Sequence, residues 1–73
     1  MLKNATYNLM ETASVISKGL FRYGQFQKDA GDCTHCQQLW NSMKQHDEEQ
    51  LKQVTQHLKQ HLDKEMKGTA AAA

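Results

Sequence analysis

Proline is absent from the 73-residue sequence, and glycine occurs only four times, at Gly19, Gly24, Gly31 and Gly68. The two strongest helix breakers are therefore too rare to prevent long helices. Long apolar runs are also missing: uninterrupted stretches are only a few residues, against the ~20 needed to span a bilayer, and Met1-Leu2-Lys3 leads into no signal-peptide core. A soluble, cytoplasmic protein without a membrane partner is expected. No sign of charge dominates, since nine Lys and Arg face eight Asp and Glu spread along both halves. That argues against a polycationic nucleic-acid surface and against an acidic tail. Basic and aromatic residues do interleave in "KGLFRYGQFQK", but the aromatics fall on different helix faces, so nucleic acid is not expected as a partner. Two cysteines are too few for a disulfide scaffold. A chain this short hides only about 60% of its unfolded surface, so help from a partner, a metal or a crosslink is expected.

What is present is helical periodicity. Ala5, Leu9, Ala13, Ile16, Leu20 and Tyr23 recur at steps of three and four, and no comparable stretch alternates with period two. The spacing predicts a first helix over about 4–29. "DAGDCTHC" punctuates it: Gly31 suits a left-handed C-cap, and Asp32 can accept bonds from the free N–H groups of the next helix, so the turn is placed at about 30–32. Cys36, Leu39, Trp40, Met43, Leu51, Val54, Leu58 and Leu62 then mark a second helix over about 33–67, ended by Gly68, with a disordered tail over 68–73. The whole reads as one domain, an all-α, antiparallel two-helix hairpin over 1–67.

The two helices differ in the width of their apolar faces. The second has a polar outer face of Gln38, Gln45, Glu49, Lys52, Gln56, Lys59 and Asp63. The first adds Met10 and Phe21 on one flank and Val15 and Phe26 on the other, leaving a narrow polar strip. One partner helix cannot cover that much apolar surface. Two hairpins joined as a symmetric four-helix bundle can, so a homodimer is expected, with Met10, Ile16, Leu20, Phe21, Trp40 and Met43 at the interface.

Three groups of side chains bear on chemistry. Asp47 interrupts the apolar stripe of helix two; a hairpin turning near Gly31 sets it opposite Ile16, with Gln50 one turn further on. A carboxylate there must be paired, hydrated or protonated. It is read either as a polar contact to Gln50, His46 or the partner copy that fixes register, or as a ligand of a metal site made from two Asp47 side chains and His46. Cys33 and Cys36 form a Cys-x-x-Cys motif in the first turn of helix two, where unpaired N–H groups favour thiolate. They can be inert thiols, a redox pair, or two soft metal ligands with His35 as a less well-placed third. Closing a four-thiolate zinc site would take two chains meeting tip to tip, which only a parallel arrangement of hairpins permits. Gln37 in place of a histidine removes the haem-attachment pattern, and no βαβ unit surrounds the motif. Finally, His57 and His61 share a face with Glu65, as a solvated edge or a chelating pair.

The stretch "LWNSMKQHDEEQLKQVTQHLKQH" resembles the second helix of rubrerythrin and other ferritin-like proteins, whose pattern is Glu-x-x-His followed by leucines and a basic, His-containing turn. "FRYGQFQKDAGD" is similar to the first-helix segment of the same family. The resemblance implies a ferritin-like half-bundle that dimerises, with degenerate di-iron ligand positions. On it, the family's ligand positions fall on Ile16, Asp47 and Gln50: one apolar, one a shortened carboxylate, one an amide. The function expected is a small non-catalytic self-association or interaction module of ferritin-like type, with an accessory metal (zinc or iron) or redox role at Cys33 and Cys36. The alternative is a small metal-binding redox protein whose site, built from Asp47 and His46, is shared across the dimer.

Overall fold

The computed structural model describes residues 3–72, with side chains described through Lys67. Two helices, α1 (Asn4–Ala30) and α2 (Thr34–Ala72), are joined by the three residues Gly31, Asp32 and Cys33. No strand occurs among the described residues. The all-α hairpin read from the periodicity is what the chain forms. Its extents of 60 × 16 × 14 Å match a 39-residue rod at about 1.5 Å per residue with a second rod laid beside it.

The seam between the rods follows a 3.5-residue repeat. On α1 the repeat runs through the shielded positions Thr6, Leu9, Ala13, Ile16, Leu20, Tyr23, Gln27 and Ala30 in alternating steps of three and four, with Gly19 and Phe26 half-buried beside it. On α2 the same repeat runs through Gln37, Trp40, Asp47, Leu51, Val54, Leu58, His61 and Glu65, with Lys44 the one exposed member. A repeat shorter than 3.6 keeps one stripe facing its partner along the full length of two supercoiled helices. Thr6 therefore replaces Ala5 in the first stripe, because counting back three from Leu9 stays on the seam. Leu39 and Met43, assigned above to the second stripe, sit one position off it and are 52% and 40% exposed.

Both ends of α1 are closed by side chains of α2. At its start the N-cap residue Lys3 makes no side-chain cap. Its backbone N–H instead donates to Glu65 Oε1 at 3.2 Å, and the Thr6 hydroxyl donates to the same oxygen at 2.9 Å. A carboxylate beside free N–H groups is also where the helix dipole favours one. At the other end Gly31 takes φ +55°, a left-handed angle suited to glycine, and its N–H donates to the Lys28 carbonyl at 3.2 Å. The Cys33 N–H donates to Ala30 O at 3.0 Å, while the Gln37 amide donates to Gln27 O at 2.7 Å and Gly31 O at 3.2 Å.

Helix two differs from expectation at both ends. Its N-cap is Cys33, not Asp32: the Cys33 carbonyl accepts the Gln37 N–H at 3.0 Å and its Sγ accepts the Cys36 N–H at 3.3 Å. The helix also continues through Gly68 to Ala72, where an end at Gly68 was expected. A single glycine costs about 1 kcal/mol in a helix, less than proline by a wide margin, and the following alanines are the strongest helix formers. Ala73 lies outside the described residues.

Burial inside the hairpin is shallow. Tyr23 is the one buried hydrophobic side chain among the described residues, at 5% exposure, and Thr6 is fully enclosed. The rest of the seam, apart from exposed Lys44, is half-buried. The radius of gyration is 17.1 Å, against about 11 Å for a compact domain of this length.

Candidate functional site

Asp47 finds its partner on α1. The Tyr23 hydroxyl donates to Asp47 Oδ2 at 2.5 Å, across the seam. Neither Ile16, Gln50 nor His46, the neighbours expected above, is its hydrogen-bond partner. The offset follows from how side chains leave a helix. Each Cα–Cβ bond leans toward its own N-terminus, so on antiparallel rods Tyr23 leans away from the turn and Asp47 leans toward it. The two tips converge although their backbones are at different levels. Thr6 and Glu65 meet with the same offset: these pairs sum to 70 and 71, where level backbones would sum to about 62.

The phenol packs edge-on to Phe26, with ring centroids 5.9 Å apart, and lies 6.1 Å from Trp40, which in turn sits 5.0 Å from Phe26. Such aromatic contacts add to area burial. Donation to Asp47, reinforced by burial and by the carboxylate's charge, raises the Tyr23 pKa above its usual value. Next to this cluster the Gln27 amide donates to Asn41 Oδ1 at 2.5 Å. The aromatic cluster, the Tyr23–Asp47 bond and the glutamine contacts together occupy the half of the hairpin nearest the turn.

At the tip itself the two cysteines are free thiols with Sγ atoms 2.8 Å apart, Cys33 exposed and Cys36 half-buried. The contact between the two sulfurs, together with the Cys36 backbone N–H that donates to Cys33 Sγ, lowers the Cys33 pKa. The same contact, with burial and the charge of Cys33, raises that of Cys36. The geometry brings the two sulfurs together, as a redox pair and a pair of metal ligands both require.

The remaining sequence-derived sites separate. His46 is exposed and one position off the seam, so it does not join Asp47. Gln50 is exposed while Ile16 is half-buried in the seam, so the three positions aligned with ferritin-like ligands do not face one another. His57 Nδ1 lies 2.9 Å from the Gln53 carbonyl of its own helix, and Glu65 turns inward to Thr6. No three His, Cys, Asp or Glu side chains converge among the described residues. Of the six expected interface residues, Ile16, Leu20 and Trp40 pack between α1 and α2, whereas Met10, Phe21 and Met43 point outward. Among the described residues no helix is long and apolar enough to cross a membrane.

Two functional features escaped the sequence reading. Tyr23 reads from the periodicity as an apolar seam residue, yet its hydroxyl is what donates to Asp47. Thr6 and Glu65 were not connected, although both occupy the repeat. Comparisons with protein-family models, curated proteins and solved structures find no match to this chain.

Proposed function

We propose that this chain is a small non-catalytic self-association module of the cytoplasm, in which two hairpins join as a four-helix bundle of ferritin-like type. The observation that carries this reading is a second stripe on α1. Tyr7, Met10, Ser14, Ser17, Phe21 and Gly24 repeat the same steps of three and four beside the first seam, and all face outward. Phe21 is 91% exposed, Tyr7 54% and Met10 42%. Large residues separated by Ser and Gly are suited to receive another helix at close range, and each fully covered large side chain contributes roughly 1.5–3 kcal/mol. The area agrees. The chain exposes 5945 Å², whereas a compact chain of this mass exposes about 4,600 Å². The surplus of about 1,300 Å² exceeds the about 800 Å² that each partner contributes to a standard interface.

The occupant of this stripe is a second copy of the chain. Sedimentation equilibrium of the full chain at micromolar concentration is expected to give twice the monomer mass, and Phe21→Glu is expected to reduce it to the monomer mass while α-helical circular dichroism persists at high protein concentration. A wild-type chain that stays monomeric and cooperatively folded in dilute solution overturns the reading.

A second, accessory role sits at the tip, favoured by the contact between the Cys33 and Cys36 sulfurs. It takes the form of redox chemistry or of binding zinc or iron, and native mass spectrometry of protein prepared without chelator separates these.

A further inference from the structure

We infer that Cys33 and Cys36 form a thiol–disulfide exchange site for small exposed disulfides, with Cys33 as the attacking sulfur and Cys36 as the resolving one. This commits the accessory role proposed for the tip to one chemistry, and it does not depend on bundle formation.

Proximity comes first. The sulfurs lie 2.8 Å apart, whereas a disulfide bond is about 2.05 Å, so closure asks for a shift of less than 1 Å within one helical turn. Asymmetry comes second. Cys33 occupies the N-cap, where its Sγ receives the Cys36 N–H at 3.3 Å and sits at the positive end of a 39-residue helix. A thiolate is the nucleophile in such exchange, and this position is built to hold one. Access comes third: Cys33 is exposed at the loop's end, reachable by a substrate, while half-buried Cys36 is shielded from the substrate but not from Cys33. The lowered pKa of Cys33 and raised pKa of Cys36 run in the same direction.

The exchange balances without an outside oxidant. The Cys33 thiolate attacks one sulfur of RS–SR; that S–S bond breaks, the leaving RS⁻ takes up the proton that Cys33 released, and a Cys33–S–SR mixed disulfide remains. Cys36 then gives its proton to solvent and attacks Cys33 Sγ, expelling the second RS⁻, which is protonated to RSH. Two electrons and two protons pass from the dithiol to the substrate, giving two RSH and one intramolecular disulfide.

The test is done on the full reduced chain with oxidised glutathione as probe, read by intact mass and by peptide mapping of alkylated cysteines. Expected are a product lighter by two hydrogens within one chain, and iodoacetamide labelling at neutral pH about 10-fold faster at Cys33 than at Cys36. Cys36→Ser is expected to stop at the glutathione adduct on Cys33, and Cys33→Ser to react slowly. Both positions lie at the tip, and circular dichroism verifies that each variant remains helical. Equal labelling rates, disulfides formed only between chains, or no adduct on Cys36→Ser each overturn the inference. So does protection of both thiols by zinc in the chain as purified. A monomeric result by sedimentation, by contrast, removes the bundle and leaves this site unaffected.

Discussion

The two ends of α1 are finished by the same helix with opposite chemistry. At the turn, a neutral amide on Gln37 supplies donors to the carbonyls of Gln27 and Gly31. At the open end, the Glu65 carboxylate supplies an acceptor to the Lys3 N–H and the Thr6 hydroxyl. Each matches what a helix terminus lacks there. The ends differ in what else holds them. The turn is covalently closed and backed by three rings in edge-on and tilted contact and by the Tyr23–Asp47 bond. The open end has no chain connection, and the seam leading to it is aliphatic: Leu9, Ala13, Leu51, Val54 and Leu58. A rod pair of this shape is therefore expected to open from its free end while the turn-proximal half stays formed.

The largest effect expected is at Trp40, which carries contacts to both Phe26 and Tyr23. Trp40→Ala should cost about 2–4 kcal/mol, below the range for fully buried aromatics because Trp40 is half-exposed. The matched change in the distal seam, Leu58→Ala, should cost about 1–2 kcal/mol by the same scaling. Urea denaturation followed by circular dichroism ranks them. If Leu58→Ala is the more damaging, the turn-proximal half is not the anchor and the contrast between the ends is reversed.

Next is the Tyr23–Asp47 bond. Tyr23→Phe keeps the ring and leaves a half-buried carboxylate without its donor, at a cost of about 1–3 kcal/mol. Adding Asp47→Leu should restore most of that loss, since an apolar pair across the seam has no polar group to satisfy. Failure of the double variant to recover would mean that Asp47 has a role besides this bond. The same bond gives a pH signature. In the folded chain the phenol holds its proton above the usual value of 10, so this contribution is fully present below pH 10 and is lost as pH rises through the folded pKa. In a Tyr7→Phe background, the tyrosinate absorbance should appear above that pH in folded protein and shift down in urea.

How far the sequence could be read ahead of the structure depends on which physical quantity decides each feature. Periodicity decides the helices, and Gly31 decides the turn, so both were accessible. The seam was nearly accessible: steps of three and four admit Ala5 and Met43, whereas a strict 3.5-residue repeat selects Thr6 and leaves Met43 outside. The partner of Asp47 was not accessible from levels alone, because backbone height ignores the lean of side chains toward each helix's own N-terminus. The Tyr23 hydroxyl, taken together with that lean, selects Asp47. The N-cap at Cys33 was hidden by the stronger intrinsic preference for Asp32, and the extension past Gly68 by weighing one glycine more heavily than the alanines after it.

A smaller effect is expected at the open end. Thr6→Val keeps the shape of a fully enclosed side chain and removes one of the donors to Glu65, at about 1 kcal/mol. The loss should appear as faster amide exchange in the first turns of α1, with exchange around Tyr23 unchanged. Equal acceleration along the whole helix would show that the two ends open together, and the distinction between them would lose its basis.

The smallest effect is expected on the outer face of α2, and it serves as the control for the rest. Lys59 Nζ lies 2.8 Å from Asp63 Oδ2, and the hydrogen bond and charge of each partner raise the Lys59 pKa and lower that of Asp63. Yet the side chains are 78% and 53% exposed, water and salt screen them, and Lys preceding an acidic residue by four is the less favourable order along a helix. The pair also touches neither end of α1. Asp63→Asn should therefore leave the urea midpoint unchanged within error, at low and at high salt alike. A clear loss that disappears in high salt would mean that the solvated face of α2 holds this shallow hairpin together as much as its seam does, and the ranking of the two ends would have to be drawn again from charge.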